Sequence, residues 1–418
     1  MTTFLKPSRR TVLRTGLAGS AALAFGPARI ARAQTKPVKV ALIAPVSGPW
    51  ARNGQLMKLG AELGIRHVNA AGGIKALGGA KMELVVIDAG DSAEKAKNAA
   101  QRLVSSEPDV LAGDGAYLSS FTLAITEVTE RASLPWLTLS YSDQLTDRGF
   151  KNVFQTSMVA SRQAGHTIET ALALAEKSTG KRPKSISMLT DNTASPVAFT
   201  KGLREGGLEK MGLKLVSDDV FTPPLADATP LIQKLRSGRP DLLLLAPTAL
   251  SDFKLTLEKL NEFGLGKGRL PVIANGAAIG TPEMLDLLGK DLLEGLLFSI
   301  ANWSGKGMED LEAEFKKETK EPWLSQDPLC AYGHIMVMRE AIEAAGVADR
   351  KAVGEAMRKM ETKGGSGRFF PGGNGVMKFD EKGRRVGADI VFVQWQNGVP
   401  STVFPEAVAT KTPIWVKR

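Results

Sequence analysis

The stretch from Val38 to Asp91 constrains the fold more than any other. It reads as a strand (VKVALIAP), a loop of small residues (SGPWARNG), a helix, a turn (NAAGGI) and a second strand (MELVVIDAG). The loop opens at the carboxyl end of the first strand. In an open parallel sheet small ligands sit at that edge, because loops there are free to vary and the following helix presents unpaired N–H groups. Gly48, Pro49 and Gly54 keep the loop tight and let a ligand approach the backbone.

Short apolar runs alternate with helical patterns from end to end, which points to an α/β fold of parallel sheets covered by helices on both faces. In the first half, strands are expected at Val38 to Pro45, Met82 to Ala89, Val110 to Gly113 and Pro135 to Ser140. Asp91 and Glu94 have the spacing of a capping box for the helix that follows. The pattern restarts after Thr156, with strands at Ser185 to Thr190, Leu213 to Phe221, Asp241 to Pro247, Pro271 to Asn275 and Leu296 to Ile300. Helices are expected around Ala164 to Lys177, Val197 to Met211, Ala228 to Arg236 and Leu250 to Phe263, and later at Leu311 to Thr319, Ala331 to Ala345 and Lys351 to Glu361. Two sheets imply two lobes. FDEKGRRVGADIVFVQWQNG then reads as a hairpin-like pair of strands with its turn at Glu381 to Gly383.

Residues 1–33 do not read as part of the fold. Ser8, Arg9, Arg10, Thr11, Val12 and Leu13 form a twin-arginine pattern, an uncharged stretch follows Arg14, and ARA precedes Gln34. Together these are the three parts of a secretion signal, with cleavage expected after Ala33 and a periplasmic location. No cysteine stands at the cleavage site, so a soluble chain without a lipid anchor is expected. Six of the 54 Lys and Arg fall in this segment and no acid does, so the remainder carries about +4 against 44 acids. An excess that small gives no footprint for nucleic acid. The remaining length exceeds what one core supports, so two domains are expected. Cys330 is the only cysteine, which excludes an internal disulfide.

Continued by GAYLSSFTLAITEVTERASLPWLTLSYSDQLTDRG, the opening unit resembles the branched-chain amino-acid type of periplasmic substrate-binding protein, the capture component of an ABC importer. The resemblance covers the chain after residue 36 and is densest before Thr156. It implies two doubly wound parallel-sheet lobes joined by a three-segment hinge, with crossings near Thr156, Ile300 and Val386. Residues 36–156 and 301–386 would form the ligand-anchoring lobe, and 157–300 and 387–418 the cleft-closing one. Closure about a ligand is the expected motion.

Ser119 and Ser120 follow a strand and open a helix, where hydroxyl and N–H groups can meet an anion or simply cap the helix. The resemblance implies that Ser119 binds a ligand carboxylate. Ser140 and Ser142 lie past the next strand, where family members use backbone groups and a hydroxyl, or an ordinary turn precedes Asp143. Asn53 stands where many relatives have an aromatic residue against the ligand, and Trp50 either supplies that wall or covers the loop. Across the cleft, Ser195 and Pro196 replace a frequent Tyr-Gly, Thr248 replaces an aromatic residue, and Asn275 suits a neutral polar group. The acid that neutralises an amino-acid ammonium falls near Ala277, so that charge is missing here. Asp114 and Asp252 are its candidate substitutes, or else loop and helix-cap residues.

His67, His166 and His334 are far apart in helical patterns, and no HExxH, GxSxG, GxxxxGK[ST] or metal-spaced cluster occurs. No catalytic residue, cofactor or metal is therefore expected. The sequence leaves three classes open: a solute-capturing protein that feeds a membrane permease and works as a monomer, an enzyme, and a ligand-sensing receptor of the same fold. Export, two sheets and loops at their carboxyl edges favour capture of a small amino-acid-like, carboxylate or amide solute.

Overall fold

The computed structural model describes residues 36–415. The twin-arginine segment and its cleavage site lie outside the described residues.

Five strands form a parallel sheet: β1 (Val38–Ala44), β2 (Met82–Asp88), β3 (Val110–Gly115), β4 (Trp136–Thr138) and β5 (Val153–Gln155), in the order β2-β1-β3-β4-β5. β1 is buried on both faces: Val38, Val40, Leu42 and Ala44 point into one core layer, Ala41 and Ile43 into the other. That two-sided burial is what a continuous apolar run produces in a sheet with helices on both sides. Helices Ala51–Ala70 and Gln326–Ala345 cover the first layer, and Ala93–Ser106 and Ser119–Arg131 the second. The two helices of the first layer approach closely because Gly60 has no side chain; a Cβ there would lie 1.9 Å from the Pro328 carbonyl oxygen.

The second sheet holds β6 (Ser185–Asp191), β7 (Lys214–Phe221), β8 (Leu242–Ala246), β9 (Val272–Asn275) and β10 (Leu297–Ile300), extended by β13 (Val391–Gln396) and β14 (Val399–Phe404), in the order β14-β13-β10-β9-β8-β6-β7. β6 to β10 run parallel, while β13 and β14 are antiparallel additions at one edge. β8 alternates like β1, with Leu243 and Leu245 in one layer and Leu242 and Leu244 in the other.

The chain passes from the first sheet to the second after β5, returns to the helices of the first after β10, and goes back before β13. Two tryptophans of the return segment stay with the second core. Trp303 packs edge-on against Phe298, and Trp323 packs against Trp395 while donating to the Gly280 carbonyl at 2.8 Å.

Three expectations are corrected. The strand pair read around Glu381 to Gly383 is only an isolated bridge, Phe379 to Arg385. The true hairpin joins β13 to β14 through Asn397 and Gly398, both at positive φ (55° and 79°), and β12 (Val376–Lys378) pairs instead with β11 (Glu361–Lys363). Asn-Gly is a strong hairpin turn because it tolerates that backbone, and it outweighs the DEKG turn. The helix at Ala93 is capped by Ser92, whose Oγ accepts from the Lys95 N–H at 3.2 Å; Asp91 pairs with the Lys95 ammonium instead. The helix expected from Val197 to Met211 breaks at Glu205 and Gly206, where Gly206 takes φ +92°.

Candidate functional site

Each parallel sheet has one place where its strand order reverses. Loops leaving the two central strands there diverge to opposite faces and leave a crevice at the carboxyl edge. In the first sheet the reversal lies between β1 and β3, and the loop after β3 runs from Ala116 into the Ser119 helix. Gly115 turns the chain out of the sheet at φ +121°, with its Cα against the Ile43 carbonyl, where a Cβ would come within 1.9 Å. In the second sheet it lies between β6 and β8, followed by Thr193 and Thr248. These two edges meet around one cavity of about 480 Å³ including its open mouth.

From the first sheet the cavity is lined by Tyr117, Leu118 and Ser119 after β3, by Leu139 and Tyr141 after β4, and by Gln326 at a helix start. The second sheet contributes Thr193, Ser195 and Pro196 after β6, Pro247 and Thr248 after β8, and Asn275, Gly276 and Ala277 at the end of β9. No Asp, Glu, Lys or Arg is among these lining residues.

The expected site residues divide into two groups. Ser119, Ser195, Thr248 and Asn275 line the cavity. Ser119 is 2% exposed, and its Oγ accepts from the Tyr141 and Ser142 N–H groups, both at 3.1 Å. Ser142 thus acts through its backbone. The other four lie behind or beside the wall. Ser140 donates to the Ala116 carbonyl at 2.6 Å and meets Thr122 Oγ1 at 2.7 Å, so its hydroxyl fixes the loop that carries Ser119. Ser120 does not cap its own helix; its Oγ accepts from the Ala194 N–H at 3.2 Å, across the cleft at the start of helix Ala194–Gly202. Trp50 stands edge-on to Phe121 at 5.5 Å. Asn53 sits inside the first turn of its helix, 3% exposed, and donates to Asp327 Oδ2 at 2.6 Å.

A second contact joins the two halves away from the cavity lining. Arg52 forms a bidentate pair with Glu321 (2.9 and 2.6 Å) and lies 2.6 Å from Glu283 of the second lobe.

Four residues at this site carried no sequence signal of their own. Tyr141 packs on the cavity and donates to Gln326 Oε1, while its oxygen accepts from the Ala301 N–H at 3.2 Å where the chain leaves β10. Burial pushes the Tyr141 phenol far above its usual range. Asp191 ends β6, and Asp327 lies one residue past Gln326; both are buried. Asp114 and Asp252, the candidate substitutes for the missing acid, are also buried rather than solvated and do not line the cavity. Asp114 bonds His334 at 2.8 Å, and Asp252 accepts from the Leu225 N–H at 3.0 Å.

Asp327 carries a pH prediction. It is 1% exposed, one carboxyl oxygen has no partner among the described residues, and burial raises its pKa to about 6. A raised folded-state pKa means that the folded form holds the proton more tightly. Stability is therefore greatest below the unfolded value near ~4 and falls as pH rises toward 6, by roughly 1–3 kcal/mol. Urea titrations from pH 4 to 7 should show that fall in the wild type and not in Asp327→Asn; an equal slope in both removes the assignment.

The histidines do not converge. His67 meets Tyr332 and Glu314, His166 lies 3.7 Å from Asp389, and His334 is fully buried. Among the described residues no group of three or more His, Cys, Asp or Glu is placed to hold a metal ion, and no helix is long and apolar enough to cross a membrane. Asn302, Trp303 and Ser304 match the short N-x-S glycosylation pattern, but Asn302 is 1% exposed and donates to the Phe369 carbonyl at 2.7 Å, so it is no surface acceptor for a glycan.

Two doubly wound sheets with their switch points facing one cavity define a two-lobe solute-binding protein. The sequence profile of the periplasmic binding protein family matches residues 37–400, and the chain belongs to that family. Among the proteins it is similar to is the Leu/Ile/Val-binding protein homolog 7 of Brucella melitensis, 27% identical over 381 residues, a match that covers 89% of this chain and 92% of that one. The leucine-binding protein LivK of Thermotoga maritima superposes with a TM-score of 0.72 at 24% identity, covering 87% of this chain and 97% of its own. A solute-binding protein of R. palustris in complex with benzoate superposes at 0.73 and 17% identity, covering 91% and 100%.

Proposed function

We propose that the chain is the extracytoplasmic capture component of an ABC importer, exported by the twin-arginine route to the periplasm, and that it traps a small solute between its lobes for delivery to a permease. The lobes are residues 36–156 with 301–386 and residues 157–300 with 387–418, and they close about the three connecting segments. Ser119 anchors the solute's carboxylate or carbonyl. The observation that carries this reading is the commitment of the Ser119 oxygen: two N–H groups already donate to it, so its own proton points to a partner outside that loop. The Ser119 and Ser120 N–H groups at the helix start add donors on the same side. Such a cluster suits a carboxylate, the group shared by the isoleucine bound to LivJ of Streptococcus pneumoniae and the benzoate bound to the R. palustris protein.

Closure follows from differential affinity, since a solute touching both walls favours the form in which they meet. The test is a thermal-shift screen of small carboxylates, amino acids and amides against the exported form. A cognate solute at 100 times its Kd adds about 2.7 kcal/mol. A screen in which no solute raises the melting temperature contradicts the reading.

A further inference from the structure

The two walls of the cavity differ in hydrogen-bond polarity, and the difference traces to one buried side chain. Asp191 is fully buried at the end of β6 and does not line the cavity. Its Oδ1 accepts from the Thr193 N–H at 2.9 Å and the Thr193 hydroxyl at 2.6 Å, and its Oδ2 from the Thr248 N–H at 2.7 Å and hydroxyl at 2.6 Å. A carboxylate only accepts, so both threonine protons are committed to it and both oxygens have only lone pairs left to offer. Asn275 agrees with this pattern. Its Nδ2 faces the Ser299 carbonyl at 3.2 Å, where only a donor fits, which leaves Oδ1 as its free acceptor. At the start of helix Ala194–Gly202 the Ala194 N–H is taken by Ser120 and Pro196 has none, so the donors on this part of the wall are those of Ser195, and the acceptor character is confined to the Thr193, Thr248 and Asn275 side. Ser119 on the facing wall has the opposite commitment, its oxygen accepting and its proton free. Burial first, then the nearby Asp327 and Asp191 carboxyls, push the Tyr117 phenol well up.

We propose that Asp191 is a positioning residue for specificity: it makes the Thr193 and Thr248 side of the second-lobe wall an acceptor surface, so the solute must bring, besides the acceptor held at Ser119, an ammonium or amide N–H donor toward Thr193 and Thr248. This rests on the cavity being the solute seat, and it names the solute class. A buried carboxylate one hydroxyl removed supplies the counter-charge absent at Ala277. Plain monocarboxylates leave the threonine oxygens without partners, a desolvation cost their single charge does not offset.

The test is calorimetry on matched pairs with and without a donor nitrogen: leucine and isocaproate, phenylalanine and hydrocinnamate, para-aminobenzoate and benzoate. In whichever pairs bind, the nitrogen-bearing member should bind about tenfold or more tighter. Asp191→Asn, whose amide can donate as well as accept, should shrink that ratio by about tenfold, whereas a purely structural loss would weaken both members alike. Thr248→Val removes one acceptor without touching Asp191 and carries the test if Asp191→Asn does not fold. Acids that bind as tightly as their nitrogen-bearing partners overturn the inference while leaving the seat intact, provided that Ser119→Ala weakens them. A ratio unchanged in both variants overturns the role of Asp191. Failure of every member of every pair to bind overturns both the inference and the seat.

Discussion

Replacing His334 by alanine is expected to cost the fold about 3–5 kcal/mol, the range for removing one partner of a buried ionisable pair. The imidazole is fully buried between Asp114 Oδ1 at 2.8 Å and Thr156 Oγ1 at 2.7 Å and stacks on Phe370. Its loss leaves the Asp114 carboxyl, whose other oxygen already has no partner among the described residues, with no hydrogen bond at all. An acid, an imidazole and a hydroxyl in a row also suggest a nucleophilic relay, but no solvent or substrate reaches a group sealed on every side. The relay instead ties β3 and helix Gln326–Ala345 to Thr156, where the chain leaves the first sheet, and Arg385 donates to the Thr156 carbonyl at 3.0 Å. Urea denaturation of His334→Ala, and of a double variant with both polar partners made apolar, measures this. The single variant should lose more than the double. A loss below about 1 kcal/mol in the single variant contradicts the assignment.

Ser119→Ala is expected to weaken a carboxylate solute by about tenfold or more, because a hydrogen bond to a charged group contributes about 1.5–3 kcal/mol. The geometry adds a second loss. The Ser119 oxygen holds the Tyr141 and Ser142 N–H groups, so the alanine variant also frees the loop whose tyrosine walls the cavity and whose hydroxyl contacts the chain after β10. Calorimetry should show the affinity drop, and the solute-free protein should also melt at a lower temperature, because two buried N–H groups lose their acceptor. Unchanged affinity removes Ser119 from the seat.

The parallel sheets were legible because their strands are buried on both faces and read as uninterrupted apolar runs. β5 escaped notice as a three-residue segment, and β14 because Pro400 and Ser401 interrupt its pattern. At the site, Ser119 and Thr248 could be read as residues that follow strands at a carboxyl edge. Asn53 could not, because the helix begins at Ala51 and turns that side chain inward to Asp327. Ser140 and Ser142 share a loop and a residue type, yet one side chain faces the Ala116 carbonyl while the other residue contributes its backbone N–H. Asp191 looks in sequence like any acid after a strand. Its role depends on Thr193 and Thr248, which are distant in the chain and meet only where the second sheet reverses its order.

The most direct measurement is a crystal structure of the protein with the strongest solute from the screen. It should place that solute between the sheets, an acceptor on Ser119 Oγ and a donor at the Thr193 and Thr248 oxygens. A solute found instead in the apolar hollow lined by Leu257, Leu260 and Trp415, with the space at Ser119 empty, would contradict the account.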